Sequence, residues 1–209
     1  MRIIRVTVGP LASAVSNNIA HSQSGVANTA LTLTASPYTL DVARRIIITS
    51  AGDDRGISFL ISGLDWNGQP QLETLTGANG VAQSYFDYTQ ITSITPTGAT
   101  ASTVTVGTNG VASSRPINLD EYGFAPTALQ ISVTGTVNAT VQQTLDTVTS
   151  AGSYPAITWI NHPDTNLVGL STSLQGNYAY APKLVRILLN SGTGTVVLSA
   201  SQAGTAFGF

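Results

Sequence analysis

The residues best equipped for chemistry are few and far apart. His21 and His162 are the only histidines, and neither sits at a metal-ligand spacing or beside a nucleophile motif. The sequence holds no G-x-S-x-G elbow, no H-E-x-x-H pair and no phosphate loop, so the commonest hydrolase and nucleotide-binding signatures are missing. Carboxylates remain, because glycosidases and calcium sites need only acidic groups placed in space. Asp53-Asp54 lies in Ala51-Gly52-Asp53-Asp54-Arg55-Gly56, between two strand-like runs, where Asp is an ordinary turn former and Arg55 can pair locally. Asp65-Trp66-Asn67-Gly68-Gln69 carries oxygen groups at alternate positions, like the opening of a calcium loop. The closing bidentate Glu is missing from its place, although Glu73 follows nearby, so both acidic motifs read first as hairpin turns. Asn161-His162-Pro163-Asp164 follows a run containing Trp159. There, as at Trp66, an indole beside polar groups suits stacking on a sugar. Set against this is the role of partly buried aromatics at a sandwich end or an interface, a role that also fits Tyr178 and Tyr180 before Pro182.

Composition argues against several function classes. Charged residues make up only 9% of the 209 positions, against roughly 25% in ordinary soluble domains, so Thr, Ser, Asn and Gln must cover the surface. Such a surface has little repulsion to keep like faces apart, and it predicts packing against copies or partners. Lys183 is the only lysine and the net charge is −2; binding nucleic acid needs clustered cations that this chain lacks. Arg44-Arg45, the one adjacent basic pair, reads as a solvated strand end. Without cysteine there is neither a disulfide framework nor a thiolate metal site. No cofactor is expected. Arg2, Arg5 and Ala12-Ser13-Ala14 imitate a signal peptide, but the apolar run is short and broken by Gly9-Pro10. No stretch approaches the roughly 18 apolar residues of a membrane-spanning helix.

The elements that must position these residues are strands. Period-two alternation dominates, with candidates at 3–8, 45–49, 57–62, 71–76, 91–95, 103–106, 129–134, 140–145, 156–159, 184–189 and 195–199. Turn chemistry separates them at Ser50-Ala51-Gly52-Asp53, Asn67-Gly68, Asn79-Gly80, Thr97-Gly98, Asn109-Gly110 and Ser191-Gly192. The pattern predicts an all-β protein of two small β-sandwich domains, jelly-roll or Ig-like, over 29–110 and 127–209. A linker would occupy 111–126. Residues 1–28 would form an N-terminal strand and an extended arm, with 10–28 the place for any helix. A weak repeat links 46–52 and the strand at Ile57 to 131–137 and the strand at Thr140. It also links 91–94 and 103–106 to 184–187 and 195–198, which suggests an internal duplication. Phe207 and Phe209 in the tail Ala206-Phe207-Gly208-Phe209 are expected to insert against a neighbour or a domain edge.

The phrases Ala43–Asp54, Ile57-Ser58-Phe59, Gly63–Gly68 and Thr74–Gly77, with a second set in Ile157–Asp164, Tyr178–Pro182, Val185-Arg186-Ile187 and Asn190–Gly194, resemble virion structural proteins of tailed bacteriophages. The resemblance covers roughly residues 40–200. It implies a non-enzymatic subunit, present in symmetric copies in the neck or tail, with capsid decoration as the alternative address. Its partners would be copies of itself and other virion proteins: portal, adaptor, tail or major capsid protein. No membrane and no small-molecule substrate are expected, and the protein would be made in the bacterial host cytoplasm. Its interface candidates are Trp66, Trp159, Tyr178, Tyr180, Phe207 and Phe209. A carbohydrate-binding or receptor-binding adhesin using Trp66 or Trp159 stands as a reading from another class, and a glycosidase of dispersed carboxylates as the weakest.

Overall fold

A computed structural model describes residues 2–119, 126–146 and 157–202. It is all-β, and among the described residues the one helical element is a 3-10 turn at Thr165–Leu167. The chain divides into two compact units, residues 12–110 and residues 1–11 with 111–209.

The 12–110 unit has eight strands: β2 (Ala20–Ser24), β3 (Tyr38–Arg44), β4 (Ile46–Asp53), β5 (Ser58–Leu64), β6 (Pro70–Thr76), β7 (Asn79–Gln83), β8 (Tyr88–Pro96) and β9 (Thr103–Thr108). They form two antiparallel sheets, ordered β2-β9-β4-β7 and β3-β8-β5-β6. Alternation decides which side chains go inside, because successive residues of a strand point to opposite faces. Ile46 and Ile48 of β4 and Val104 and Val106 of β9 pack in one core with Phe59 and Ile61 of β5 and Ile91 and Ile94 of β8.

The second unit comprises β1 (Arg2–Val8), β10 (Ala112–Ser113), β11 (Ile117–Asn118), β12 (Thr127–Thr134), β13 (Val137–Thr144), β14 (Ile160–Asn161), β15 (Leu174–Tyr178), β16 (Leu184–Gly192) and β17 (Thr195–Gln202). Its sheets run β1-β17-β12-β15 and β10-β16-β13-β14, with β11 also on β16. β10 and β11 follow one another along the same partner, at Leu189–Leu188 and Val185–Leu184. They are one strand interrupted before Pro116, which has no N–H to give the ladder.

Counting each unit's strands from its own start, with β10 and β11 as one, both units show the same sheet orders: first-eighth-third-sixth and second-seventh-fourth-fifth. That is the jelly-roll arrangement of two Greek keys. The 12–110 jelly roll is inserted between the first and second strands of the other. The repeated sequence phrases fall on matching places, since β4 and β12 are third, β5 and β13 fourth, β8 and β16 seventh, and β9 and β17 eighth.

Several boundaries differ from the sequence reading. Part of the expected arm is core instead, since β2 pairs with β9 and both Ile19 and Ala20 are fully buried, while residues 9–19 carry no strand. The described part of 111–126 is not a linker: Ala112, Ser113, Ser114, Ile117 and Leu119 are buried beside β16. Ser50–Asp53 is the end of β4, held extended by Ser50 opposite Val104 and Asp53 opposite Asn79. Asn79-Gly80 accordingly opens β7. The 156–159 candidate has no strand over its described residues, and β14 begins only at Ile160.

Ser191-Gly192 closes β16, and the reversal falls at Thr193-Gly194. Gly192 has φ +110, and a Cβ there would collide with the Thr136 carbonyl. Gly192→Ala is therefore expected to destabilise this unit by about 2 kcal/mol or more. Denaturant titration of the variant checks it.

Candidate functional site

In the 12–110 unit the weighed acidic groups serve turns and loops. Asp53 takes two hydrogen bonds from the exposed Arg55 guanidinium, at 2.9 and 2.6 Å. The side-chain hydrogen bond from Arg55 is the main cause that brings the Asp53 pKa down to about 2. Asp54 is buried and its Oδ1 accepts the Ala101 N–H at 2.7 Å. Asp65 Oδ1 accepts from the N–H groups of Asn67 and Gln69 at 2.7 and 2.9 Å, which makes the segment a hairpin turn. Glu73 lies apart from it. Its carboxylate accepts from the Tyr85 and Phe86 N–H groups and the Tyr88 hydroxyl, tying down the loop before β8. Burial pushes the Glu73 pKa up against those bonds. Among the described residues no group of three or more His, Cys, Asp or Glu side chains could hold a metal ion.

The aromatic candidates divide between the units. Trp66 is half-buried in the Asp65–Gln69 turn of the 12–110 unit. The second unit brings Tyr178 and Tyr180 together, ring centres 6.2 Å apart, with His162 4.5 Å from Tyr178. Tyr178 is only 1% exposed, so it is a core residue rather than a contact surface. Tyr180 is half exposed and takes a hydrogen bond from Gln143 at 3.0 Å. Trp159 lies against the buried Arg186, whose guanidinium carbon is 4.1 Å from a Trp159 ring centre. Arg186 also donates to Gln142 Oε1 at 2.9 Å. This indole is thus committed to a cation–π contact inside its own unit. Phe207 and Phe209, with the tail contact expected of them, lie outside the described residues.

His162 is buried, its Nδ1 accepts the Asp164 N–H at 3.0 Å, and desolvation holds its pKa below the usual 6.5. In the unfolded chain His162 binds its proton more readily than in the folded one. Its contribution to stability is complete above about pH 6.5 and is lost as pH falls below that value toward the depressed folded pKa. Unfolding measured from pH 7.5 to 5 should show this slope, and His162→Gln should flatten it.

A polar cluster in the 12–110 unit centres on one buried arginine. Arg44, read as a solvated strand end, is 1% exposed. The register of β3 on β8 shifts between Thr39 and Arg44, and this irregularity lets Asp41 and Arg44, three residues apart, meet. Nη1 donates at 3.1 Å to the Ala12 carbonyl and at 3.1 Å to each oxygen of Asp41. Nη2 donates to the Asn109 carbonyl. One guanidinium therefore joins the two ends of the inserted unit. Asp41 also accepts the Ala12 N–H at 2.7 Å. Burial acts to raise the Asp41 pKa, but the bonds from Ala12 and Arg44 and the guanidinium charge together hold it below the ordinary value. Beside this clasp opens a cavity of about 350 Å³, lined in part by Asn18, Tyr38, Thr39, Asp41 and Thr108. Asn18 donates to the Tyr38 hydroxyl at 3.0 Å, while its buried Oδ1 has no hydrogen-bond partner among the described residues. No protein-family model matches this chain, and a search of curated proteins finds no significant match.

Proposed function

We propose that this chain is a non-enzymatic structural subunit of a tailed-bacteriophage particle, a neck or tail component that assembles in symmetric copies and with other virion proteins. The observation that carries the reading is the dressing of the jelly-roll edges. The edge strands β6 and β7 of the 12–110 unit expose Leu72 at 60% and Val81 at 59%, and the edge strand β1 of the other unit exposes Ile3 at 60%. A free edge offers unpaired N–H and C=O groups, and natural monomers usually blunt it with charge. Here β7, Asn79–Gln83, has no charged residue and β6 has only the inward Glu73, whereas β1 carries Arg2 and Arg5, so the uncharged edges are β6 and β7. Such edges suit completion by a neighbour's strand. Supporting the same reading, Asp53, Asp54, Asp65 and Glu73 are spent on turns and loops, as described above.

The shared strand order, with the sequence repeat on matching strands, supports descent of both units from one duplicated jelly roll. Jelly rolls are also a common architecture of viral capsid domains, which favours capsid decoration as the second address. Antibody labelling of purified particles separates the two: label at one vertex and the tail supports the first, label over the whole shell the second. Particles that carry no label and assemble normally without the gene would contradict both.

A further inference from the structure

We propose that β6 is a two-fold pairing edge: two copies of this chain join antiparallel through Pro70–Thr76, which extends the β3-β8-β5-β6 sheet of one copy into that of the other. This names the neighbour at one of the edges invoked above. It rests on that edge argument and is independent of where in a particle the chain sits.

Hydrogen-bond parity shows what β6 offers. The Gly77 N–H donates to the Ile57 carbonyl at 2.9 Å and the Asp65 N–H to the Gln69 carbonyl at 2.9 Å. Between them the register with β5 runs without a shift, from Ser58 opposite Thr76 to Leu64 opposite Pro70. Bonded positions alternate in an antiparallel ladder, so Gln71, Glu73 and Leu75 bond to β5, while Leu72, Thr74 and Thr76 turn N–H and C=O to the free side. No hydrogen bond among the described residues uses those groups. A two-fold centred on Thr74 sets Thr74 opposite its own copy and Leu72 opposite the partner's Thr76, so every outward N–H finds a carbonyl. Centred on Leu72 instead, it would set Thr74 opposite Pro70, which has no N–H to return.

Charge selects the occupant. A strand that meets its own copy meets its own charges, and like charges directly opposite are destabilising. β6 turns none outward: Glu73 is buried and its carboxylate is held by Tyr85, Phe86 and Tyr88. Ser58, Leu60 and Ser62 of β5, beside Thr76, Thr74 and Leu72 on the same face, are neutral too. A charged partner would find no counter-charge here, whereas a second copy brings no repulsion and apolar cover for Leu72. The other edges suit self-pairing less. β7 is broken by Gly80 at φ +109 and by a register shift between Thr49 and Asp53, and β1 carries Arg2 and Arg5.

The test is sedimentation velocity on the full chain from about 1 to 300 µM, a range that spans micromolar to sub-millimolar dimers, together with disulfide trapping. The chain has no cysteine, so Thr74→Cys supplies the only thiol. Residues opposite one another in a hydrogen-bonded pair stand about 5.5 Å apart at Cα, within disulfide reach. A reversible dimer is expected. Oxidised glutathione should trap it covalently in Thr74→Cys and not in Val81→Cys, which reports on β7. Thr74 is exposed, so Thr74→Lys should weaken the dimer about tenfold or more while leaving the melting temperature unchanged. A chain that stays monomeric throughout, trapping at Val81 instead of Thr74, or a dimer unmoved by Thr74→Lys would overturn the proposal. Label on purified particles would in each case leave the assembly reading standing.

Discussion

Arg44→Met is expected to cost the 12–110 unit about 3 kcal/mol, the lower end of the range for breaking a buried ion pair by removing one partner. The lower end applies because Asp41 keeps 30% of its surface in solvent and is not wholly stranded. What is lost is the connection as well as the charge: the Ala12 and Asn109 carbonyls lose their shared donor. Lysine should rescue only in part, since a single ammonium lacks the planar fork that serves a carboxylate and two carbonyls together. Chemical denaturation of residues 12–110, in which Trp66 is the only tryptophan, followed by fluorescence reads the unit directly. A loss below about 1 kcal/mol, the size of an exposed ion pair, would show that the clasp contributes little.

Residues 12–110 expressed alone are expected to fold, and the chain in which a short Gly-Ser linker joins Leu11 to Val111 is expected to keep its own jelly roll. The inserted unit has a core drawn from both of its sheets and a length well within what folds independently. Its two ends are already held together by Arg44, so excision frees no long segment. Deleting residues 1–11 should do the opposite. β1 pairs along seven positions with β17, and its Val6 and Val8 are buried, each worth roughly 1.5–3 kcal/mol. That sum is a large share of the 5–15 kcal/mol that holds a typical domain together. Dispersed amide NMR spectra for 12–110 and for the linked remainder, and a collapsed second unit in the 1–11 deletion, are the expected results. An unfolded 12–110 fragment would refute the independence of the units.

What could be read from the sequence follows from what period-two patterning encodes. Alternation in Ile57–Ser62 and Thr103–Val106 specifies which side chains face inward, and both runs are strands close to their expected bounds. Turn chemistry located the Asp65–Gln69 hairpin, since Asp65 caps its own backbone. Pairing partners are another matter. Arg5 bonds to Ser199 across 194 residues, and nothing local in Arg2–Val8 names β17 as its neighbour, so the nested insertion was not legible. The short strands β10, β11 and β14 carry too few residues to show a period. The clasp left no periodic trace, since Asp41 and Arg44, three residues apart, would face opposite sides of a regular strand and meet only because the β3 register shifts between Thr39 and Arg44.

The most direct test of the structural reading is a reconstruction of the intact phage particle at a resolution that traces side chains. The reading predicts this chain in symmetric copies at the neck or tail, β6 or β7 continued by a neighbour's strand, with interfaces burying on the order of 2,000 Å² or more over both partners. A particle fully traced without this chain, or one carrying it as isolated copies whose edge strands meet nothing, would contradict it.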